Sequence, residues 1–76
     1  MKVIEIEWLD ACGTSEDIDI GTARKFTPIK RINVGYLMEE NEVGVIISWG
    51  FLDNKQSDAT KLIVKGMITK VTTIKD

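Results

Sequence analysis

Val3-Ile4-Glu5-Ile6-Glu7-Trp8-Leu9-Asp10 alternates apolar and acidic side chains almost without interruption. In an extended chain, successive side chains point to opposite faces. Ile4, Ile6 and Trp8 therefore share one face, and Glu5 and Glu7 share the other, with Val3 and Leu9 at its ends. One face is expected dry and the other wet. The pattern predicts a strand over roughly Lys2 to Leu9.

Two more stretches downstream repeat this alternation. A second strand is predicted from Ile29 to Glu39, with Ile32, Val34, Tyr36 and Met38 on one face. Gly35 in its middle signals a bulge, a bend or a close backbone approach. Glu40-Asn41-Glu42 is short enough for a hairpin turn. The third strand, Val43 to Phe51, puts Val43, Val45, Ile47, Trp49 and Phe51 on one face. Gly44 and Gly50 on its other face point to strong curvature or to another backbone lying close. Leu52 to Ala59 is a polar loop with Asp53-Asn54-Lys55-Gln56-Ser57-Asp58 at its centre, expected to be mobile and solvated. A fourth strand is predicted at Thr60–Val64, a tight or 3₁₀ turn at Lys65-Gly66-Met67, and a fifth strand at Ile68–Thr72. The tail after Thr73 is expected to fray.

Five short, bent strands in 76 residues imply one all-β domain spanning 1–76. The expected fold is a small five-stranded, highly bent barrel of the Sm-like or Src-homology type. Closing the sheet removes its edges. Ile6, Val34 and Ile47 are expected inside. A long loop follows the first strand, from Asp10 to Thr27. Gly13-Thr14-Ser15 reads as a turn, and Thr22 to Phe26 as one helical turn or a short extended piece. Ile18, Ile20 and Phe26 are expected to fold back as a lid. The other reading of so long a loop is a functional one.

Composition narrows the chemistry. The chain has one cysteine, no histidine and a formal net charge of −2. An internal disulfide is impossible, and a structural zinc site lacks its nitrogen and sulfur ligands. A domain this small without either is expected to gain stability as a homo-oligomer. Duplex DNA is not an expected partner, because its binders need a basic excess. No stretch is long and apolar enough to span a membrane, and no apolar leader follows a basic start. A lone thiol suits the reducing cytoplasm.

No reaction is expected. Cys12 has no histidine to activate it, and burial as a small thiol is its commoner role. Asp10, Glu16, Asp17 and Asp19 are the carboxylates available for acid–base work, but three of them lie in the long loop. Asp10, at a strand end, more often bonds nearby backbone N–H groups. Asp17-x-Asp19 lacks the glycine and final glutamate of a calcium loop. No phosphate-cradling glycine loop is present, and no metal or cofactor is expected.

Binding is the better expectation. Aromatic faces stack on nucleobases while nearby cations take phosphate. The candidate ligand-binding residues are Trp8, Asp10, Cys12, Arg24, Lys25, Trp49, Phe51 and Lys65, with Lys30 and Arg31 as further cations. Trp8 and Trp49 fit the core as well as a site.

Trp8-Leu9-Asp10-Ala11-Cys12, Val34-Gly35-Tyr36-Leu37-Met38-Glu39-Glu40 and Ile63-Val64-Lys65-Gly66-Met67-Ile68 occur in an order that resembles a group of short, uncharacterised bacteriophage and prophage proteins. The chain departs from them at Val64, where proline is common, and lacks a tryptophan in the loop after the first element. The resemblance implies a phage origin and a small barrel, but no activity. A phage benefits from capturing a nucleotide-type immune signal of its host, and capture needs no catalytic group. The leading expectation is therefore a non-enzymatic binding protein for a small nucleotide-like ligand, acting against host defence in the host cell cytoplasm. A module docking onto a host or phage protein is the first alternative. A single-stranded nucleic-acid binder is the second.

Overall fold

The structure, a computed structural model, describes residues 1–13, 16–52 and 56–76. It is mostly β, with one antiparallel sheet of five strands. These are β1 (Val3–Asp10), β2 (Ile29–Glu40), β3 (Gly44–Ser48), β4 (Thr60–Val64) and β5 (Ile68–Lys75). One helical turn, α1 (Ile20–Ala23), lies between β1 and β2, and a 3₁₀ turn, Lys65–Met67, joins β4 to β5. The spatial order is β4-β3-β2-β1-β5, so β4 and β5 are edges and the sheet is not closed.

Ile4, Ile6 and Trp8 supply the dry face of β1, as their alternation requires. With Val45, Ile47 and Ile63 they form the core, and Leu37 and Ile68 pack against it. Six side chains make a small core, in keeping with the limited burial available to a short chain.

The dry side of β2 is the reverse of the expected one. Ile4 pairs with Gly35, Ile6 with Asn33 and Trp8 with Arg31, so Asn33, Gly35 and Leu37 accompany the core strand. Ile32, Val34, Tyr36 and Met38 are all exposed. Val34 is therefore not a core residue. A one-residue change of register swaps every side chain between faces, and here close packing decides it. A Cβ added at Gly35 would lie 2.8 Å from the Ser48 carbonyl oxygen and 3.3 Å from Ile47 Cβ. Only glycine lets the β3 backbone come this near, which turns Gly35 inward and its apolar neighbours outward. The close approach expected at Gly35 is present.

Gly44 plays the same part between β3 and β4. A Cβ there would overlap the Ile63 carbonyl oxygen and lie 2.9 Å from Val64 Cα. The β2–β3 turn is held by Asn41, whose Oδ1 accepts from the Val43 and Gly44 amides at 2.9 and 3.2 Å. β3 ends earlier than the alternation predicts. Ser48 Oγ accepts from the Gly50 amide and donates to the Gly50 carbonyl, which bends the chain out of the ladder. Phe51 then makes only an isolated bridge with Ser57.

β4 and the 3₁₀ turn match their predicted bounds. β5 is longer than predicted. Pairing of Ile4 with Thr73 and Val3 with Lys75 holds the segment expected to fray. The turn predicted at Gly13-Thr14-Ser15 and the polar loop at Asp53-Asn54-Lys55 extend outside the described residues.

The segment after β1 is not a lid. Ile18, Ile20 and Phe26 are exposed, and no residue of α1 is buried. Asp19 starts this turn as its N-cap, its carboxylate accepting from the Thr22 amide at 3.0 Å and the Thr22 hydroxyl at 2.7 Å. These bonds, the hydroxyl first, hold the Asp19 carboxyl below the usual value. The radius of gyration, 15.6 Å, exceeds the roughly 11 Å of a compact chain of this length. None of the described residues between 11 and 28, the arm after β1, is buried, so this segment adds nothing to the core.

Candidate functional site

The sheet curls enough to bring β4 over β1, although the two are not neighbours in the sheet. Lys61 of β4 places its Nζ 4.6 Å from the centre of the Trp8 ring. Lys61 shares strand parity with Ile63 and pairs with Ile47, so it belongs to the concave face. A cation over an indole face is held by the ring's quadrupole, most strongly where water is scarce. Trp8 is only 5% exposed, and its Nε1–H donates to Asn33 Oδ1 at 2.7 Å.

Asp10 completes this end of β1. Its Oδ2 accepts from Arg31 Nε at 2.7 Å and its Oδ1 from the Ala11 amide at 2.9 Å. The Arg31 hydrogen bond is the main reason its carboxyl sits below the usual range, with smaller help from Ala11 and the Lys61 charge against some desolvation. The backbone-bonding role expected for Asp10 is present, with an ion pair added. Lys61 itself makes no salt bridge among the described residues.

Trp49 follows β3 directly. Its amide donates to the Ala59 carbonyl at 2.9 Å, which places its backbone at the end of the β3–β4 ladder that carries Lys61, just before the chain bends at Gly50. Its ring is 44% exposed. The two tryptophans thus separate: Trp8 belongs to the core and Trp49 to the surface.

The other predicted residues disperse. Phe51 packs its ring against Tyr36, with centroids 5.5 Å apart, on the convex side. Cys12, expected as a semi-buried thiol, is instead exposed, because the chain after β1 does not fold back over it, and Arg24 and Lys25 are exposed on the arm. Lys65 opens the 3₁₀ turn, and its amide donates to the Val43 carbonyl. Of the predicted residues, Trp8, Asp10 and the further cation Arg31 lie at the concave end, with Trp49 at the end of the adjoining ladder. Asn33 and Lys61 were not foreseen there. Lys61 carried a signal, because it shares parity with Ile63 in a short apolar strand and so had to point inward.

Ser48 is fully buried, but its partners are the Gly50 backbone and the Ser57 hydroxyl, which in turn meets Thr60. A hydroxyl so engaged, with no base beside it, ties the loop rather than attacking a substrate. Among the described residues no three His, Cys, Asp or Glu side chains converge as metal ligands. A cavity of about 80 Å³ lies at the other end, lined by Lys2, Ile4, Leu37, Glu40, Val45 and Val71 among others. Ligand pockets usually begin near 300 Å³, so a nucleotide does not fit inside it. The concave end is an open shelf, with Lys61, the Arg31–Asp10 ion pair and the Asn33 amide along it and Trp49 beside it.

No protein-family model, curated protein or solved structure matches the chain. Among the described residues no helix is long and apolar enough to cross a membrane.

Proposed function

We propose that this chain is a non-enzymatic, phage-encoded binding protein that captures a nucleotide-type anion at the concave end of its sheet, in the host cytoplasm. Capture of a host immune signal is the role that fits such a binder. One observation carries the ligand class. Lys61 sits over Trp8 without a salt bridge among the described residues, beside Arg31 and the exposed Trp49. The Lys61 charge is felt by Asp10, but the Asp10 carboxylate is bonded to Arg31, which leaves the Lys61 ammonium to take phosphate, and an exposed indole suits a base. The phage assignment rests on the resemblance carried by Trp8–Cys12, Val34–Glu40 and Ile63–Ile68. The fold we propose is an incompletely closed barrel of the Sm-like or Src-homology type. Its strand order, with a 3₁₀ turn before the last strand, supports this reading.

Thermal-shift and calorimetric titration against cyclic and ADP-ribose-type nucleotides test the proposal. We expect saturable binding to at least one of them, weakened by Lys61→Gln and by Trp49→Ala. Absence of binding across the panel refutes the ligand class. A second reading is favoured by the two open sheet edges. β4 and β5 each offer unpaired backbone groups to an extended peptide, as strand-addition modules do. Pull-down from infected cells that recovers one stoichiometric protein, with no nucleotide response, supports that reading instead.

A further inference from the structure

We infer that the arm, through its described residues 16–28, docks on the convex face of a second copy of this chain, in a reciprocal exchange. Both halves of the contact are apolar and uncovered. The arm presents Ile18, Ile20 and Phe26, with Ile20 69% exposed. The convex face presents Ile32, Val34 and Tyr36 in a row along β2, extended by the Phe51 ring on Tyr36. Within one chain the two do not cover each other, since all of these side chains remain exposed.

The areas suit a dimer. Large side chains carry on the order of 150–200 Å² each, so at these exposures the arm offers about 250 Å² and the face about 300 Å². Reciprocal exchange uses both on every protomer, giving about 550 Å² of apolar surface per partner. A standard interface buries about 800 Å² per partner, somewhat over half of it apolar. One arm–face contact alone reaches about half of this and gives a weaker association. Exchange meets the requirement, and a two-fold pair satisfies it twice with the same residues. Charge agrees. The convex face carries Glu5 and Lys70, neither in a salt bridge among the described residues. In the arm Asp17 precedes Ile18, and Arg24 with Lys25 stand between Ile20 and Phe26, so both signs are present among its apolar residues. A second copy also supplies the reinforcement that a six-residue core lacks.

Light scattering and sedimentation of the full chain test this, with circular dichroism to check the fold. The expected mass is twice 8.5 kDa. Ile20→Asp with Phe26→Asp changes only exposed arm residues, and Val34→Lys only the convex face. Each variant is expected to keep its β spectrum and to weaken self-association by about a hundredfold or more, as a charge placed in an apolar contact does. Mixing the two variants leaves one intact arm facing one intact face, and should restore part of the dimer. A wild-type monomer at high concentration overturns the inference. So does an oligomer that survives both variants, or a mixture that stays monomeric. A wild type that stays monomeric alone but takes up a host protein on the same face also overturns it.

Discussion

Substituting Gly44→Ala should destabilise the fold, whereas Gly66→Ala should not. A Cβ at Gly44 overlaps the Ile63 carbonyl oxygen and comes within 2.9 Å of two further backbone atoms, Ile63 C and Val64 Cα. Backbone cannot rotate away as a side-chain tip can. The β3–β4 pair must open, and Ile63, only 2% exposed, is drawn out of the core with it. Overpacking of this kind costs about 1–3 kcal/mol, and an edge strand moved as a unit belongs at the upper end. Against that, alanine restricts the unfolded chain and returns about 0.4–1 kcal/mol. The net loss is about 2 kcal/mol, a large share of the roughly 4–11 kcal/mol expected for a chain of this length. At Gly66 an added Cβ meets nothing within 4 Å and φ is not positive. Only the unfolded-state gain remains there, about 0.4–1 kcal/mol of stabilisation. Urea denaturation at fixed protomer concentration measures both, with an unchanged slope expected. Thermal midpoints should move in opposite directions, Gly44→Ala downward by about 8–16 °C. Equal shifts in the two variants, or a Gly44→Ala loss under about 0.5 kcal/mol, would refute the close-approach reasoning.

Three other outcomes follow from the described geometry. Ile47→Ala empties a fully buried site and should cost about 2–5 kcal/mol by chemical denaturation, against little for Leu62→Ala, an exposed side chain of β4. In Trp49→Phe the remaining Trp8 should emit at short wavelength and resist iodide, while Trp8→Phe should leave red-shifted, readily quenched emission from Trp49. The Asp10 carboxyl is depressed in the folded state by Arg31, so its stabilising contribution is complete above its ordinary value of 3.8 and is lost as pH falls through the depressed one. Asp10→Asn should therefore remove stability at neutral pH and flatten the loss on acidification, read as urea midpoints from neutral pH downward.

Most strand positions were legible because period two needs only the local chain. Thr60–Val64 and Lys65–Met67 match their predicted bounds, and Gly35 and Gly44 announced close backbone contacts. What local pattern could not show was which side of β2 faces inward. Ile32, Val34 and Tyr36 are the more apolar set, yet Asn33, Gly35 and Leu37 face the core strand. Hydrophobicity alone favoured the wrong face, because the deciding term was the thickness of the Gly35–Ser48 contact between distant segments. The same limit applies to the site. Trp8 and Asp10 could be marked from β1 alone. The positioning of Lys61 over that indole depends on sheet curl, a property no single strand contains. The arm was misread for a related reason. Its apolar residues suggested self-coverage, which needs a fold-back onto the sheet that no local pattern specifies, and Ile18, Ile20 and Phe26 stay exposed.

β1 sits between the hairpin strand that follows it and the strand that comes last, so its two neighbours are recruited at very different moments. Contacts spanning most of a polypeptide's length are slow to form, since a wide loop must close before any reward arrives. During synthesis the first strand must therefore wait, one flank bare, until β5 emerges from the ribosome. Refolding of this small molecule should for that reason be sluggish for its size, with the Val3–Lys75 seam zipping late.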